Sequence, residues 1–365
     1  MTDHKLNQYL TEAKTDINYK SIDTLVMGNE AADLDSMASA LAFAFTLSCS
    51  DRKKNIVPLM PIIRGDFKLR TEAAYVFDRA GIDLNSVIFL DDINLERLMK
   101  KVDGLALVDH NRLSAHCEPY RDKVSMILDH HKDEGLYPGA GTRVIEPVGS
   151  CATLVGEDLT RRCPELAKDP HLATLLWGTI LLDTVNLAPD ADRVTPKDEA
   201  VSNTLMTACS LDQDVYFRAI QKAKFDTKDL GTFDLLRKDY KEFRFNSNRC
   251  GIASALLPLV LWDKKDPELC LSFETYVKRR DLDVLISMNA YTDPEFSRDL
   301  AVYCADPAEH GKLITFLQEK GLALKEIHLD SQKPCLEGKT AFYRQGNLAI
   351  SRKKLSPMLD DYFAG

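Results

Sequence analysis

Residues 23–47 have the sequence DTLVMGNEAADLDSMASALAFAFTL. The apolar run Asp23–Met27 predicts a strand, and the Ala- and Leu-rich stretch Ser36–Leu47 predicts a buried helix. The short acidic loop between them carries Asp33 and Asp35, just before the helix begins. A strand that leads through a short loop into a helix is the repeating unit of a parallel sheet covered by helices.

The same alternation continues along the first half of the chain and predicts an α/β domain. Further strands are predicted at Ile56–Met60, Ser86–Leu90, Leu105–Val108 and Val124–Leu128. Helices are predicted at Thr71–Ala80, Leu95–Lys101, Cys151–Arg162, His171–Asp183 and Lys197–Cys209. We therefore expect a mainly parallel sheet with helices on both faces, and a ligand site beyond the carboxyl ends of its strands.

A second, smaller domain is predicted for the rest of the chain. The Pro- and Asp-rich stretch Leu187–Lys197 is an irregular connection, and we place the domain boundary near residue 210. The two domains are then residues 1–210 and 211–365. The second domain is predicted to be a mixed-sheet α/β domain. Its predicted order is two helices, two strands, a helix, two strands, a helix and two strands. Its predicted strands include Gly251–Leu257, Asp283–Asn289, Leu300–Cys304 and Leu322–His328.

The charge of the chain is unevenly distributed. Its 365 residues carry a net charge of −9, and residues 1–200 account for all of it, with 23 basic and 32 acidic residues. A pI near 5.5 argues against a nucleic-acid-binding protein, which carries a basic face. No apolar run reaches the roughly 18 residues of a bilayer span, and the amino terminus lacks the apolar core of a signal peptide. We therefore expect a cytoplasmic protein that binds neither membrane nor nucleic acid, and a monomer by default.

Asp, His and Asn residues follow apolar segments at four places in the first half. These segments are Leu25–Ser36, Leu105–Asn111, Met126–His131 and Thr179–Thr184. Carboxylates gathered at neighbouring strand ends repel one another, and a divalent cation removes that repulsion. Carboxylate oxygens combined with one or two imidazoles suit Mn²⁺, Mg²⁺ or Co²⁺ better than soft metals. The pattern therefore predicts a divalent metal site at this edge of the sheet.

Each of these features alone has an ordinary structural interpretation. Two Asp residues separated by one residue form a turn or a helix cap more often than a metal site. The pair His130–His131 can lie on a surface, and Asp183 can simply end its helix. Their joint occurrence in one α/β domain favours the metal site. A protein that binds a phosphorylated small molecule and an interaction protein with a vestigial site stay open as weaker alternatives.

The triplet Asp129-His130-His131 resembles the motif that names the DHH phosphoesterases. Residues 29–36 resemble the first motif of that family, residues 108–111 resemble its second, and Asp183 lies where its fourth is expected. The resemblance extends over nearly the whole chain and implies the α/β fold described above.

The second half resembles the DHHA2 type of C-terminal domain. Lys222–Asp226 and Leu236–Tyr240 resemble its opening helices, and Ser351–Lys354 resembles its terminal phosphate-binding motif. The alternative C-terminal domain of RecJ-like nucleases and nanoRNases carries a GGGH motif. This chain contains no GGG, which counts against oligonucleotide substrates.

Three groups of proteins share this domain combination, namely family II inorganic pyrophosphatases, cytosolic exopolyphosphatases and prune-type proteins. The pyrophosphatases have His where this chain has Asn29, whereas its Gly-Asn-Glu opening resembles the other two groups. Prune-type proteins usually extend well beyond the terminal basic motif, and this chain ends eleven residues after Lys354. The resemblance implies a metal-dependent exopolyphosphatase that removes the terminal phosphate of inorganic polyphosphate. An inorganic pyrophosphatase or a prune-like cyclic-nucleotide phosphodiesterase is the alternative.

The same resemblance implies which residues hold metal. Two or more divalent cations, Mg²⁺ or Mn²⁺ with Co²⁺ as a further option, are expected on Asn29, Asp33, Asp35, Asp109, His130 and Asp183. Asp33 is expected on one cation and Asp35 on the other, and Asp109 is expected to bridge them. Because an amide is a weaker ligand than an imidazole, Asn29 is expected to hold its cation loosely.

The resemblance also implies the reaction and the substrate contacts. A hydroxide held between the cations is expected to attack the terminal phosphorus. His131 is expected to contact the leaving side, and Asp129 to orient the neighbouring imidazoles. The expected substrate-binding cations are Arg352, Lys353, Lys222 and Lys224, of which Arg352 offers a bidentate fork to phosphate. The active site is expected in a cleft between the two domains.

Overall fold

A parallel sheet forms the centre of the first half of the protein. The structure is a computed structural model that describes residues 4–292, 295–329 and 338–364. The sheet strands are β1 (Ile22–Met27), β2 (Ile56–Leu59), β3 (Val102–Val108), β4 (Val124–Asp129) and β5 (Thr142–Ile145). Their order is β2-β1-β3-β4-β5, and every neighbouring pair is parallel.

Helices cover both faces of this sheet. They are α1 (Lys5–Tyr19), α2 (Leu34–Ser50), α3 (Thr71–Arg79), α4 (Leu95–Met99), α5 (Cys151–Arg162), α6 (Pro170–Asp183), α7 (Pro196–Met206) and α8 (Gln213–Phe225). Alternate strand residues face two apolar cores, with Val26 in the core of α2, α5 and α6 and Leu25 in the core of α1 and α4. The parallel sheet with helices on both faces is thus confirmed.

One predicted strand of this half is wrong. In Ser86–Leu90 only Phe89 forms a bridge, to Met60, and a turn from Asp83 to Ser86 precedes it. Val87, Ile88 and Phe89 are buried in the two cores, whereas only two backbone hydrogen bonds join the described run to residues 60–62. The apolar character of the run therefore reflects packing more than strand pairing. The short edge strand β5 and helix α1 were not expected from the sequence, and β5 is only half-buried.

A mixed sheet forms the centre of the second half. Its strands are β6 (Tyr240–Phe245), β7 (Asn248–Ala255), β8 (Val284–Tyr291), β9 (Ser297–Cys304), β10 (Leu324–Glu326) and β11 (Thr340–Gln345), in the order β10-β11-β9-β8-β7-β6. The pair β7–β8 is parallel and the other pairs are antiparallel, which confirms the predicted mixed sheet. The helices are α9 (Thr232–Lys238), α10 (Leu259–Lys265), α11 (Leu269–Arg280), α12 (Pro307–Glu319) and α13 (Arg352–Ala364).

The end of the chain differs from the predicted order. The predicted order ends with two strands, whereas in the structure residues Asn347–Ile350 form a turn and the helix α13 follows it. The Arg298 guanidinium, which is 9% exposed, donates hydrogen bonds to the carbonyl oxygens of Leu348 and Ile350 at 3.1 and 2.7 Å. The Gln345 side chain also donates to Ile350 O, at 2.8 Å. These side chains replace the ladder hydrogen bonds that a strand would have needed.

The two halves are separate packing units, Met1–Phe225 and Asp226–Gly365. Helix α8 packs against α3 and α6 and thus belongs to the first unit. The boundary near residue 210 and a cleft between the domains stay predictions. Among the described residues, no helix has both the length and the apolar character needed to cross a bilayer.

Candidate metal centre

The carboxyl ends of β1, β3 and β4 bring the predicted loops to one edge of the sheet. The strands are adjacent and parallel. Val108, the last residue of β3, pairs with Leu128, which is one residue before the end of β4. The loops that follow carry Asn29, Asp109 and Asp129–His131. Their meeting at one edge follows from the topology of a parallel sheet.

Asp109 is the central carboxylate of this edge. It adopts a left-handed backbone conformation, with φ of 61°, directly after β3. Its Oδ2 atom accepts a hydrogen bond from Asn29 Nδ2 at 2.7 Å, and its buried Oδ1 has no hydrogen-bond partner among the described residues. Burial, followed by the charge of Asp35, raises the pKa of Asp109 from 3.8 to about 7. The carboxylate is therefore poised to accept a cation.

His130 presents one ring nitrogen to the same place. Its Nδ1 lies 3.0 Å from Val148 O, and because a carbonyl only accepts, the neutral ring carries its proton on Nδ1. Its Nε2 then faces Asp109 Oδ1 at 3.2 Å and Asp35 Oδ2 at 3.7 Å with a lone pair. Burial acts to lower the pKa of His130, but these carboxylates raise it to about 10. A proton or a metal ion must lie between these acceptors.

Asp35 lies in the first turn of α2 and is 4% exposed. Its oxygens accept hydrogen bonds from the backbone N–H groups of Cys151 and Ala152, at 2.7 and 2.8 Å, at the beginning of α5. The N-terminus of a helix stabilises a negative charge placed there. Burial nevertheless raises the pKa of Asp35, so the carboxylate benefits from a further positive partner.

Asp183 reaches the same place from the carboxyl end of α6. Its Oδ2 atom is buried and has no hydrogen-bond partner among the described residues. Burial, and then the charges of Asp35 and Asp33, raise its pKa well above 3.8. Asp33 caps α2 by accepting a hydrogen bond from the Ser36 backbone N–H at 3.0 Å. Several carboxylates thus converge without enough protein donors to neutralise them.

Asp129 forms hydrogen bonds that hold the two histidines of this cluster in place. Its fully buried carboxylate accepts hydrogen bonds from the backbone N–H groups of His130 and His131, from His131 Nδ1 at 2.8 Å and from Asn111 Nδ2 at 2.5 Å. Although burial acts to raise it, the bonds from His131 and Asn111 hold the pKa of Asp129 below its usual value. The same bond raises the pKa of His131. Asp129 is thus an anion that orients the imidazole of His131 and accepts a hydrogen bond from the backbone of His130.

These groups open onto a cavity of about 540 Å³. The predicted residues that line it are Asp33, Asp35, Asp109, His130, His131 and Asp183. Donor atoms of Asp109, His130 and His131 lie within 4.8 Å of one another. Carboxylate oxygens and imidazole nitrogens together suit a hard divalent cation. Two of these oxygens are buried and accept no hydrogen bond from the described residues. The residues therefore fit the expected metal.

Asn29 lies beside this cluster but is already committed to protein contacts. Its Nδ2 donates to Asp109, and its Oδ1 accepts hydrogen bonds from the backbone N–H groups of Ala31 and Ala32 at 2.9 and 3.2 Å. As a metal ligand, the amide oxygen would first have to leave both N–H groups. The ligand role stays a prediction, and the geometry gives Asn29 a definite role in orienting Asp109.

The predicted substrate-binding cations belong to α8 and to α13. Lys222 and Lys224 are exposed on α8 and are absent from the described lining of the cavity. Arg352 begins α13 in the second unit, where its guanidinium is 2.7 Å from the carboxylate of Asp239. Lys353 is exposed in the first turn of the same helix. The first turn of α13 thus carries several basic side chains.

Arg193, Asp198 and Gly149 were not singled out in the sequence, although they shape the cavity. Arg193 and Gly149 line it from the α6–α7 and β5–α5 connections. Asp198 is fully buried in α7 and accepts hydrogen bonds from both connections. The one available signal was the Pro- and Asp-rich stretch Leu187–Lys197, which the sequence marks only as an irregular connection.

Comparisons with known proteins agree with this fold. Residues 23–180 match the model of the DHH family, N-terminal domain, and residues 218–362 match that of the DHHA2 domain. Exopolyphosphatase PRUNE1 of Mus musculus is 32% identical over 364 residues, which cover 98% of this chain and 79% of that protein. Exopolyphosphatase PRUNE1 of Homo sapiens is 33% identical over 345 residues, 92% of this chain and 75% of that protein.

The chain therefore belongs to the DHH family, in the group that carries a DHHA2 domain. A manganese-dependent inorganic pyrophosphatase of Methanothrix thermoacetophila is 25% identical over 266 residues, 72% of this chain and 79% of that protein. A crystal structure of a Methanococcus jannaschii protein assigned to the family II inorganic pyrophosphatases has a TM-score of 0.53 at 21% identity. It covers 94% of this chain and 100% of that one, and it shows the shared fold.

Proposed function

We propose that this protein is a metal-dependent exopolyphosphatase that releases the terminal phosphate of inorganic polyphosphate. The observation that carries the proposal is a pair of buried oxygens in one cavity, Asp109 Oδ1 and Asp183 Oδ2, which accept no hydrogen bond from the described residues. The His130 Nε2 atom lies 3.2 Å from Asp109 Oδ1. Leaving buried carboxylate oxygens without a partner is costly unless a cation binds them. The PRUNE1 relatives are named exopolyphosphatases, and the Methanothrix relative is named manganese-dependent.

The residues of the first unit would hold two divalent cations, Mg²⁺ or Mn²⁺. The ligands in this proposal are Asp33, Asp35, Asp109, His130 and Asp183, with Asn29 orienting Asp109. Bound there, such cations supply an activated water and neutralise charge on the phosphoryl oxygens. Asp35 is held by the beginning of α5 and His130 by Val148 O, so both donors are fixed before metal arrives.

His131 would contact the leaving phosphate. Its side chain is 57% exposed, and Asp129 holds its Nδ1 at 2.8 Å, which leaves Nε2 for a substrate oxygen. When both ring nitrogens are protonated, Asp129 stabilises the charge and Nε2–H can donate to the leaving group. Asp129 thus acts through His131 and does not itself touch substrate.

The second unit would contribute Arg352 and Lys353 to substrate binding. To donate two hydrogen bonds to a phosphate, the Arg352 guanidinium would release the carboxylate of Asp239 and bind the phosphoryl oxygens in its place. Lys222 and Lys224 stay predictions that no contact of the described residues supports. A monomer and a cytoplasmic location likewise stay predictions.

The experiment is phosphate release by the full chain from long-chain polyphosphate, tripolyphosphate, pyrophosphate and cyclic AMP. Each substrate is assayed with Mg²⁺, with Mn²⁺ and with EDTA. Release from polyphosphate that needs the metal and spares pyrophosphate is the expected result. Pyrophosphate as the best substrate would replace the proposal by an inorganic pyrophosphatase. Hydrolysis of cyclic AMP alone would replace it by a phosphodiesterase.

A matched pair of variants tests the site itself. Asp183→Asn should abolish metal-dependent release, because it removes one of the two unpartnered oxygens. Asp190 is an exposed carboxylate in the connection after α6, and Asp190→Asn should leave the rate unchanged. Equal rates for Asp183→Asn and the wild type would refute the assignment.

A further inference from the structure

The cavity of the first unit contains a positive charge as well as carboxylates. Of the described residues that line it, Arg193 is the single Lys or Arg. No carboxylate of the described residues forms an ion pair with its guanidinium, and the side chain is exposed. An unpaired guanidinium next to several carboxylates is available for an anion that the metal ions bring into the cavity.

The connection that carries Arg193 has an unusual backbone. Val185, Asn186 and Leu187 follow α6 with φ values of 52°, 62° and 58°, a left-handed turn made of residues that are not glycine. This conformation is unfavourable for residues other than glycine, and the β-branched Val185 is among the least suited to it. Strain of this kind persists where the surroundings enforce it, and it clusters at binding and catalytic sites.

Asp198 fixes the far end of this connection. Its carboxylate accepts hydrogen bonds from the Thr195 backbone N–H at 2.8 Å, from Thr195 Oγ1 at 2.7 Å and from Thr153 Oγ1 at 2.5 Å. It also accepts one from the Gly149 backbone N–H at 2.9 Å. One buried carboxyl group therefore joins the loop that follows β5 to the segment that carries Arg193.

Gly149 allows the two segments to lie in contact. A Cβ atom at this position would lie 2.7 Å from Arg193 O and 2.5 Å from Thr184 Cγ2. Such distances are below van der Waals contact, so only glycine permits this approach. The backbone of Arg193 is thus held against the loop beside the metal ligands, whereas its side chain stays free.

We propose that Arg193 is a phosphate-binding residue of the first unit and that it binds the phosphoryl oxygens of a phosphoanhydride. The inference rests on the proposed function for its substrate, and it adds an anion contact that comes from the same unit as the metal ligands. The planar guanidinium can bind two phosphoryl oxygens at once. Asp198 is a positioning residue, which acts through the backbone of the Arg193 segment.

The test measures phosphate binding separately from turnover. Isothermal titration of the full chain with inorganic phosphate, at saturating Mn²⁺, gives a Kd, and steady-state assays with tripolyphosphate give KM and kcat. Arg193→Gln should raise both Kd and KM by about ten- to a hundredfold, the usual effect of losing a charged hydrogen bond. Arg193→Lys keeps the positive charge but lacks the two-pronged guanidinium. Its Kd and KM should lie between those of the wild type and those of Arg193→Gln. The affinity for Mn²⁺ should change less than about twofold, since Arg193 is no ligand.

Arg121→Gln is the matched control. Arg121 is an exposed arginine just before β4, at the opposite edge of the sheet. Its substitution should leave the phosphate Kd and the KM unchanged. A Kd and a KM of Arg193→Gln equal to those of the wild type would overturn the inference while leaving the exopolyphosphatase proposal intact. Absence of turnover in the wild type would refute that proposal, and the phosphate Kd would still decide the role of Arg193.

A double-mutant cycle tests the positioning role of Asp198. Asp198→Asn should weaken phosphate binding in the wild-type background but leave it unchanged in the Arg193→Gln background. Equal weakening in both backgrounds would show a general structural effect and overturn the positioning role. If Asp198→Asn fails to fold, Thr195→Val, which removes one of its donors, takes its place in the cycle.

Discussion

Replacing the central carboxylate, Asp109→Asn, should make the metal-free protein more stable and the metal-loaded protein less stable. Asp109 is 2% exposed, and its pKa is raised from 3.8 to about 7, by burial and then by Asp35. Ionising it in the folded chain at pH 8 therefore costs about 4 kcal/mol, at roughly 1.36 kcal/mol per pKa unit. An amide of the same shape removes this cost and keeps an oxygen for the bond from Asn29.

The sign of the pH dependence follows from the direction of the shift. A carboxyl whose folded pKa is raised contributes stability that is present below about pH 4 and is lost as the pH rises through 7. The advantage of Asp109→Asn should therefore be about 1–2 kcal/mol at pH 5 and should reach about 4 kcal/mol at pH 8 in EDTA. With Mn²⁺ the order should reverse, because the wild type gains binding energy that the variant lacks.

The assay is urea unfolding followed by circular dichroism, at pH 5 and pH 8, with EDTA and with Mn²⁺. The control is Asp122→Asn, an exposed carboxylate just before β4, which should change the free energy of unfolding by less than about 0.5 kcal/mol. A variant at position 109 that is no more stable than the wild type at pH 8 in EDTA would refute the electrostatic reasoning. A variant that Mn²⁺ stabilises as much as the wild type would refute the ligand assignment.

Three further outcomes are expected from the contacts described above. Asn29→Ala removes the hydrogen bond to Asp109 and should lower kcat and weaken Mn²⁺ binding, measured by titration calorimetry, whereas Asn29→Asp should abolish turnover by adding a like charge. Gly149→Ala should destabilise the first unit by about 1–3 kcal/mol in urea unfolding and raise KM, because its methyl group displaces the Arg193 segment. Arg298→Ala should destabilise the second unit by about 3 kcal/mol in thermal unfolding, because it leaves the buried Ile350 carbonyl with one donor fewer.

Local patterns identified most of the first unit. The alternation of apolar strands and helices predicted a parallel α/β domain, and Cys151–Arg162 was predicted with the bounds that α5 has. The acidic and imidazole groups at the strand ends were predicted to converge, because strand direction in a parallel sheet carries each strand end to one edge. The strand predicted at the apolar run Ser86–Leu90 was wrong, because the hydrophobic pattern of a short segment does not distinguish a buried loop from a strand.

The atomic partners inside the site could not be predicted in this way. Asn29 looks like a weak ligand in the sequence, but in the structure its oxygen faces two backbone N–H groups and its nitrogen faces Asp109. Arg352 looks like a free phosphate contact, but it lies against Asp239, 113 residues earlier. Such choices depend on which donors and acceptors happen to be within reach once distant segments are packed.

The amino-acid sequence alone was sufficient for the fold class, the family and the group of residues gathered at the strand ends, because these depend on periodicity, motif spacing and strand direction. Tertiary structure alone decided how the cavity is built around them. Gly149 lies far along the chain from the segment that carries Arg193 and Asp198, and no local pattern relates the two segments. Their relation arises from close backbone contact and one buried carboxylate, and these interactions exist only when the chain is folded.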